Sequence, residues 1–224
     1  MNILYVLLII ININLVVTNR ENENEDKLKT FPKKLLARRR EEHLVLLKNI
    51  AKNPKYEWRF RLVEVGVTKV FELINENRVR LKDTNEMDEE KLSQAKMLII
   101  ENTCLLMDFI VNFNQDIYKI FNIISKKNVH TDWRVMLKVS FEFLSKEKEL
   151  LDELTSKEYD FIMENYEKIN NEETLPDYPY ENNIKRDINI AERIYQDETE
   201  KLKALKKKEK KKLKKGPSLR GVEL

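Results

Sequence analysis

Glu101 and Asp108 stand seven residues apart in the run "MLIIENTCLLMDFIVNF", and side chains at that spacing fall on roughly one face of a helix. Two carboxylates on one face are the arrangement that general acid–base chemistry uses. Their surroundings argue against that use. Residues 97 to 113 are apolar nearly all round, so the two acids are expected as a polar stripe that reaches solvent or a partner helix. Cys104 lies between them as the single cysteine, and with Thr103 and Leu105-Leu106-Met107 beside it, it is expected as a buried thiol. It leaves no disulfide framework to build. The two histidines, His43 and His130, are too few for a His-based metal site. Gly-rich phosphate loops, metal-ligand spacings and a nucleophile with a His base are all missing from the sequence. No catalytic, metal-binding or cofactor-binding residue is therefore assigned, and no small-molecule substrate is expected.

What remains is charge. The net charge of +3 conceals an asymmetry: residues 201 to 215 hold ten Lys and one Glu, a local +9, which leaves the rest of the chain at −6. Segregation of this kind marks an interaction tail. The candidate partner-binding residues are Lys206, Lys207, Lys208, Lys210, Lys211, Lys212, Lys214 and Lys215. Nucleic acid is a poor fit, since the run has neither Arg nor aromatic residues to read or stack on bases. Acidic protein or anionic lipid is the better counter-surface, and a purely solvated helix is the plain alternative.

The two ends of the chain suggest a compartment. "MNILYVLLIIININLVVTNRENENED" is apolar from Ile3, is interrupted at Asn12 and Asn14, and turns polar after Val17. That is the profile of a secretory signal peptide cleaved near Thr18, although its start lacks Lys and Arg. A membrane span needs about 20 mostly apolar residues, so a permanent anchor is the second choice. For a chain in the secretory pathway, Gly221, Val222, Glu223 and Leu224 read as a degenerate relative of the Lys-Asp-Glu-Leu retention signal. Asn102-Thr103-Cys104 matches only the rare Cys form of a glycosylation sequon inside an apolar helix, so no glycan is expected.

These residues need elements to position them. Three Gly and five Pro in 224 residues leave long unpunctuated stretches, which predicts an all-α protein. Its expected form is a single helical domain of about five to six helices with a long basic C-terminal helix and tail. The expected organisation is a signal peptide over 1–18, a disordered acidic spacer over 19–30, a helical domain over 31–185, a polar Lys-rich helix over 186–215 and a flexible tail over 216–224.

Pro32 suits the first turn of a helix carrying Leu36, Arg40, His43, Leu44, Leu47 and Ile50 along one side, with His43 at the core edge. Asn53-Pro54 ends it. A second helix from Tyr56 shows Phe60, Val63, Val67, Val70, Phe71 and Ile74, and Gly66 in its middle marks a close helix crossing. Asp88 suits the N-cap of the central apolar helix. A short helix over "QDIYKIFNIIS" follows, then one capped by Thr131 or Asp132 with Trp133, Met136, Leu137, Ser140, Phe141 and Leu144 inward. "TSKEYDFIMENYEKI" reads as one further helix, with Thr155 and Glu158 at capping-box spacing. Residues 170 to 183 form a loop whose Tyr178-Pro179-Tyr180 lies extended across the body. From Asp187, Ile188, Ala191, Tyr195, Leu202 and Leu205 keep a rough heptad, but Glu198 and Glu209 interrupt it. The expectation is a helix whose apolar first half docks on the body.

Four stretches, "ARRREEHLVLLKNIA", "IIENTCLLMDFIVNF", "TDWRVMLKVSFEFL" and "KKEKKKLKKGPSLRGVEL", resemble in that order the coiled-coil domain-containing protein 134 family. The likeness covers about residues 35 to 145 and the final thirty or so. Residues 146 to 183 depart from it, and the last four read Gly-Val-Glu-Leu where vertebrate members carry Gln-Ser-Glu-Leu. The resemblance implies a non-enzymatic adaptor of the endoplasmic reticulum lumen. Such a protein would associate with nascent endoplasmin at a translocon carrying the oligosaccharyltransferase, shield that client from excess N-glycosylation, and be retrieved by the retention receptor. Only Glu223-Leu224 and the Lys-rich run carry over by position. The alternatives are a secreted helical signalling ligand and a nuclear protein that uses its Lys tail.

Overall fold

The computed structural model describes residues 25–82, 88–127, 132–176, 178–179 and 184–214. Among these, eight α-helices and one 3-10 turn make up the regular structure, with no strand: α1 (Glu25–Ala51), α2 (Tyr56–Lys82), α3 (Glu89–Asn112), α4 (Asn114–Lys127), α5 (Trp133–Lys146), the turn Lys148–Leu150, α6 (Glu153–Glu164), α7 (Tyr166–Asn170) and α8 (Ile184–Lys214). The protein is a single all-α domain.

α3 runs through its centre and touches α1, α2, α4, α5 and α6. Its composition explains the position, because a helix apolar on every side is stable only where neighbours cover every side. From Ile99 to Asn112 every α3 residue is buried. Asp88 caps the helix by accepting from Lys91 N at 2.9 Å. The α2–α3 crossing is close because position 66 has no side chain: a Cβ on Gly66 would lie 2.6 Å from Phe109 Cζ.

Breakers act where their chemistry requires. Asn53-Pro54 separates α1 from α2, and the buried Arg59 closes the turn by donating to the carbonyls of Asn53 and Pro54. Asp132 caps α5 through Arg134 N at 2.9 Å. Phe121 then stacks on Trp133 and packs tilted against Phe71, an aromatic cluster between α2, α4 and α5.

Three local expectations are corrected. α1 is helical from Glu25, so residues 25 to 30 of the expected spacer belong to it and Pro32 lies beyond its first turn. The expected helix over "TSKEYDFIMENYEKI" divides at Asn165, whose side-chain amide donates to the Phe161 carbonyl and competes with the backbone ladder. Thr155 and Glu158 form no capping box. Asp152 is the N-cap and accepts from Thr155 N at 2.8 Å, which releases both side chains for another use. In the following loop Tyr178 packs edge-on against Phe161 with ring centroids 5.1 Å apart, while Tyr180 lies outside the described residues.

Candidate protein-binding helix and the ion triad of the core

α8 has two halves of different environment. Ile184 and Ala191 are buried and Ile188 packs on the core, so the first half is seated on the body, alongside α1. Beyond it, residues 200 to 208 are exposed throughout. Leu202 and Leu205, one helical turn apart, keep 58% and 56% of their surface in solvent. Of the candidate lysines, Lys206, Lys207, Lys208 and Lys210 are exposed on this helix. Lys211, Lys212 and Lys214 belong to its last turn, and Lys215 and Gly221–Leu224 lie outside the described residues. α8 therefore offers a band of positive charge around a short leucine strip.

The carboxylates that suggested chemistry meet a different fate. Asp108 and Glu101 are both buried, and both turn towards α1 rather than towards solvent. Asp108 pairs with Arg40 Nη1, while Arg40 Nη2 pairs with Glu158 of α6. Arg40 also donates through Nη1 to the Cys104 carbonyl at 3.0 Å and through Nε to Thr155 Oγ1 at 3.1 Å. One guanidinium thus ties α1, α3 and α6 together through planar bonds that only Arg can make. Arg40 stood in the apolar stripe of α1, and that was the available signal: a guanidinium on an inward face must find carboxylates. Glu158 was missed because its capping-box spacing supplied a local explanation.

Burial pushes the Asp108 carboxyl well above the usual range; Arg40 opposes this and the nearby Glu158 reinforces it. Burial raises Glu158 as well, against the pull of Arg40. Burial alone would lower Arg40, but the two carboxylates raise it above its ordinary value. Two acids facing one base favour a proton held between the acids. Such a pair resembles an acid–base dyad in its titration, yet Asp108 and Glu158 keep only 1% and 4% of their surface, so no substrate reaches them. Their role is structural.

One turn along α1, Glu101 Oε1 stands 3.9 Å from both Arg39 Nε and His43 Nε2. His43 is fully enclosed rather than at the core edge, and burial lowers its pKa, with Glu101 offsetting part of the shift. Cys104 is buried as expected, and burial raises its thiol to about 12. Among the described residues no three His, Cys, Asp or Glu side chains gather into a metal-holding group. No helix among them is long and apolar enough to cross a membrane.

A family model described as an inhibitor of the ERK and JNK pathways matches residues 16–220, nearly the whole chain. The chain belongs to this ERK–JNK inhibitor family. The match spans both the bundle and the Lys-rich helix. No curated protein and no solved structure matches the chain.

Proposed function

We propose that this member of the ERK–JNK inhibitor family is a non-enzymatic, protein-binding adaptor of the endoplasmic reticulum lumen. On this reading it associates with nascent endoplasmin and the oligosaccharyltransferase-bearing translocon and limits N-glycosylation of that client while it folds. The observation that carries the binding reading is the division of α8: its apolar half is seated on the body and its Lys half stands exposed with two leucines in solvent. The lumenal assignment draws on the signal-like start, the Glu223-Leu224 end and the resemblance to the coiled-coil domain-containing protein 134 family. Retrieval by a retention receptor would keep the adaptor there.

The test is crosslinking with mass spectrometry on the full-length protein in its own cells, with fractionation of the same sample and glycan counting on endoplasmin. Recovery in the lumen with endoplasmin and oligosaccharyltransferase subunits, and extra glycans on endoplasmin when the protein is removed, is the expected result. Recovery chiefly from medium or nucleus would favour the secreted ligand or the nuclear protein instead.

The family match favours a second reading, in which the chain restrains ERK and JNK signalling through protein contact. Removing the protein should then raise ERK and JNK phosphorylation after stimulation. Unchanged phosphorylation would set this reading aside without touching the first.

A further inference from the structure

Two heptads on from Ile184, Ile188 and Ala191 stand Glu198, Leu202 and Leu205. The first three seat α8 on the body, and the second three occupy the same helical face after the body has ended, exposed to solvent. A heptad repeat keeps one seam facing one partner along its whole length. The seam of α8 therefore continues past its own core with nothing described against it at Leu202 and Leu205.

We infer that this exposed continuation is a docking seam for an acidic amphipathic helix of a partner protein, which packs its apolar stripe on Leu202 and Leu205. The inference rests on the protein-binding reading above and names the partner's chemistry. Continuity with the seated half supplies the geometry. Charge supplies the sign: Lys201, Lys206 and Lys208 flank the two leucines, all exposed, and demand acidic residues at the partner's edge positions. A second copy of this chain would set Lys against Lys.

Glu198 decides against a bilayer. It is exposed and lies on the leucine face, four residues before Leu202, with Glu209 four residues after Leu205 in the sequence. A helix lying in an anionic membrane places its apolar face inward, and carboxylates on that face oppose both the hydrocarbon and the lipid charge. A partner helix accommodates them by placing Lys or Arg opposite. Nucleic acid offers the Lys residues phosphate but gives the leucines nothing to pack on.

The probe is a synthetic acidic helix of about three heptads, with Leu at the seam, one Lys set opposite Glu198, and Glu at the flanks. Binding to the full-length protein is read by fluorescence anisotropy, beside a scrambled peptide of identical composition, phosphatidylserine vesicles and duplex DNA. The expected result is affinity for the heptad peptide at least about tenfold above the scrambled one, a difference of about 1.4 kcal/mol. L202S/L205S should abolish that discrimination while leaving weak, salt-sensitive attraction to both peptides. Both leucines are exposed, so the double variant keeps the bundle intact, checked by its helical circular dichroism and melting temperature.

Equal affinity for the two peptides would overturn the inference, because charge alone would then suffice. Tighter binding of vesicles or DNA than of the heptad peptide would overturn it too. Neither result depends on endoplasmin, so failure here is separable from failure of the lumenal adaptor reading.

Discussion

Arg40 on α1 and Asp108 on α3 form an ion pair inside the bundle, 68 residues apart in sequence, and the same guanidinium reaches Glu158 on α6. The three groups hold one another in place, and each is costly without its partners. Arg40→Met should accordingly leave two buried carboxylates facing each other and cost roughly 3–5 kcal/mol. Asp108→Asn keeps the Arg40–Glu158 pair and a neutral hydrogen-bond acceptor, and should cost clearly less. Urea midpoints at constant slope measure both; equal losses would mean that Arg40 is not the hub on which both acids depend.

The same triad makes stability depend on pH. Asp108 and Glu158 are both raised in the folded state, so the fold retains a proton that the unfolded chain releases near about pH 4. The stabilisation is complete below that pH and is lost as pH rises through the folded value. The unfolding free energy of the wild type minus that of Asp108→Asn should therefore fall as pH rises above about 4. His43, lowered by burial, acts in the opposite sense and loses stability as pH falls below about 6.5, but it is common to both proteins and cancels in the difference. A flat difference curve would contradict the raised carboxyls.

Gly66→Ala sets helix propensity against packing. Alanine gains about 1 kcal/mol in an exposed helix interior, but here its Cβ would meet Phe109 Cζ at 2.6 Å. Overpacking of that kind costs about 1–3 kcal/mol, so the substitution should destabilise, and Phe109→Leu added to it should restore part of the loss. An increase in urea midpoint for Gly66→Ala alone would show that α2 and α3 separate easily.

Cys104 should resist thiol reagents in the native protein and react fully once urea unfolds it. Its thiol is enclosed and pushed up to about 12, so little nucleophilic thiolate exists at neutral pH. Rapid native labelling would mean that α3 is far more open than the bundle implies.

The halves of α8 should part under protease. Trypsin cuts after Lys, and Lys201, Lys203, Lys206, Lys207, Lys208 and Lys210 are exposed, so the first nicks are expected there with the bundle left whole. Ile184→Ala, at a buried anchor, should cost about 2–5 kcal/mol and advance cleavage of the first half of α8. Simultaneous digestion of bundle and tail would argue against a separately folded body.

Much of the architecture was legible because it depends on short-range rules. Scarce Gly and Pro excluded a strand-rich fold, the all-round apolar run of α3 required the central position, Asp88 and the pair Thr131-Asp132 announced helix starts, and Gly66 marked a crossing. The heptad of α8 told which half would dock, since apolar residues at those spacings need a surface to cover them. Each of these follows from residue type and neighbours along one helix.

The polar interior was decided only by the tertiary structure. Asp108, Arg40 and Glu158 come from three helices, and nothing in their spacing tells which acid meets which base; packing of α1, α3 and α6 brings them together. Local patterns even pointed elsewhere, because Thr155 and Glu158 satisfied a capping-box spacing that Asp152 took over. By itself the sequence determined a helical bundle with a segregated positive end; where the body stops supporting α8, and which buried charges pair, depends on the distances between helices that are remote in the chain.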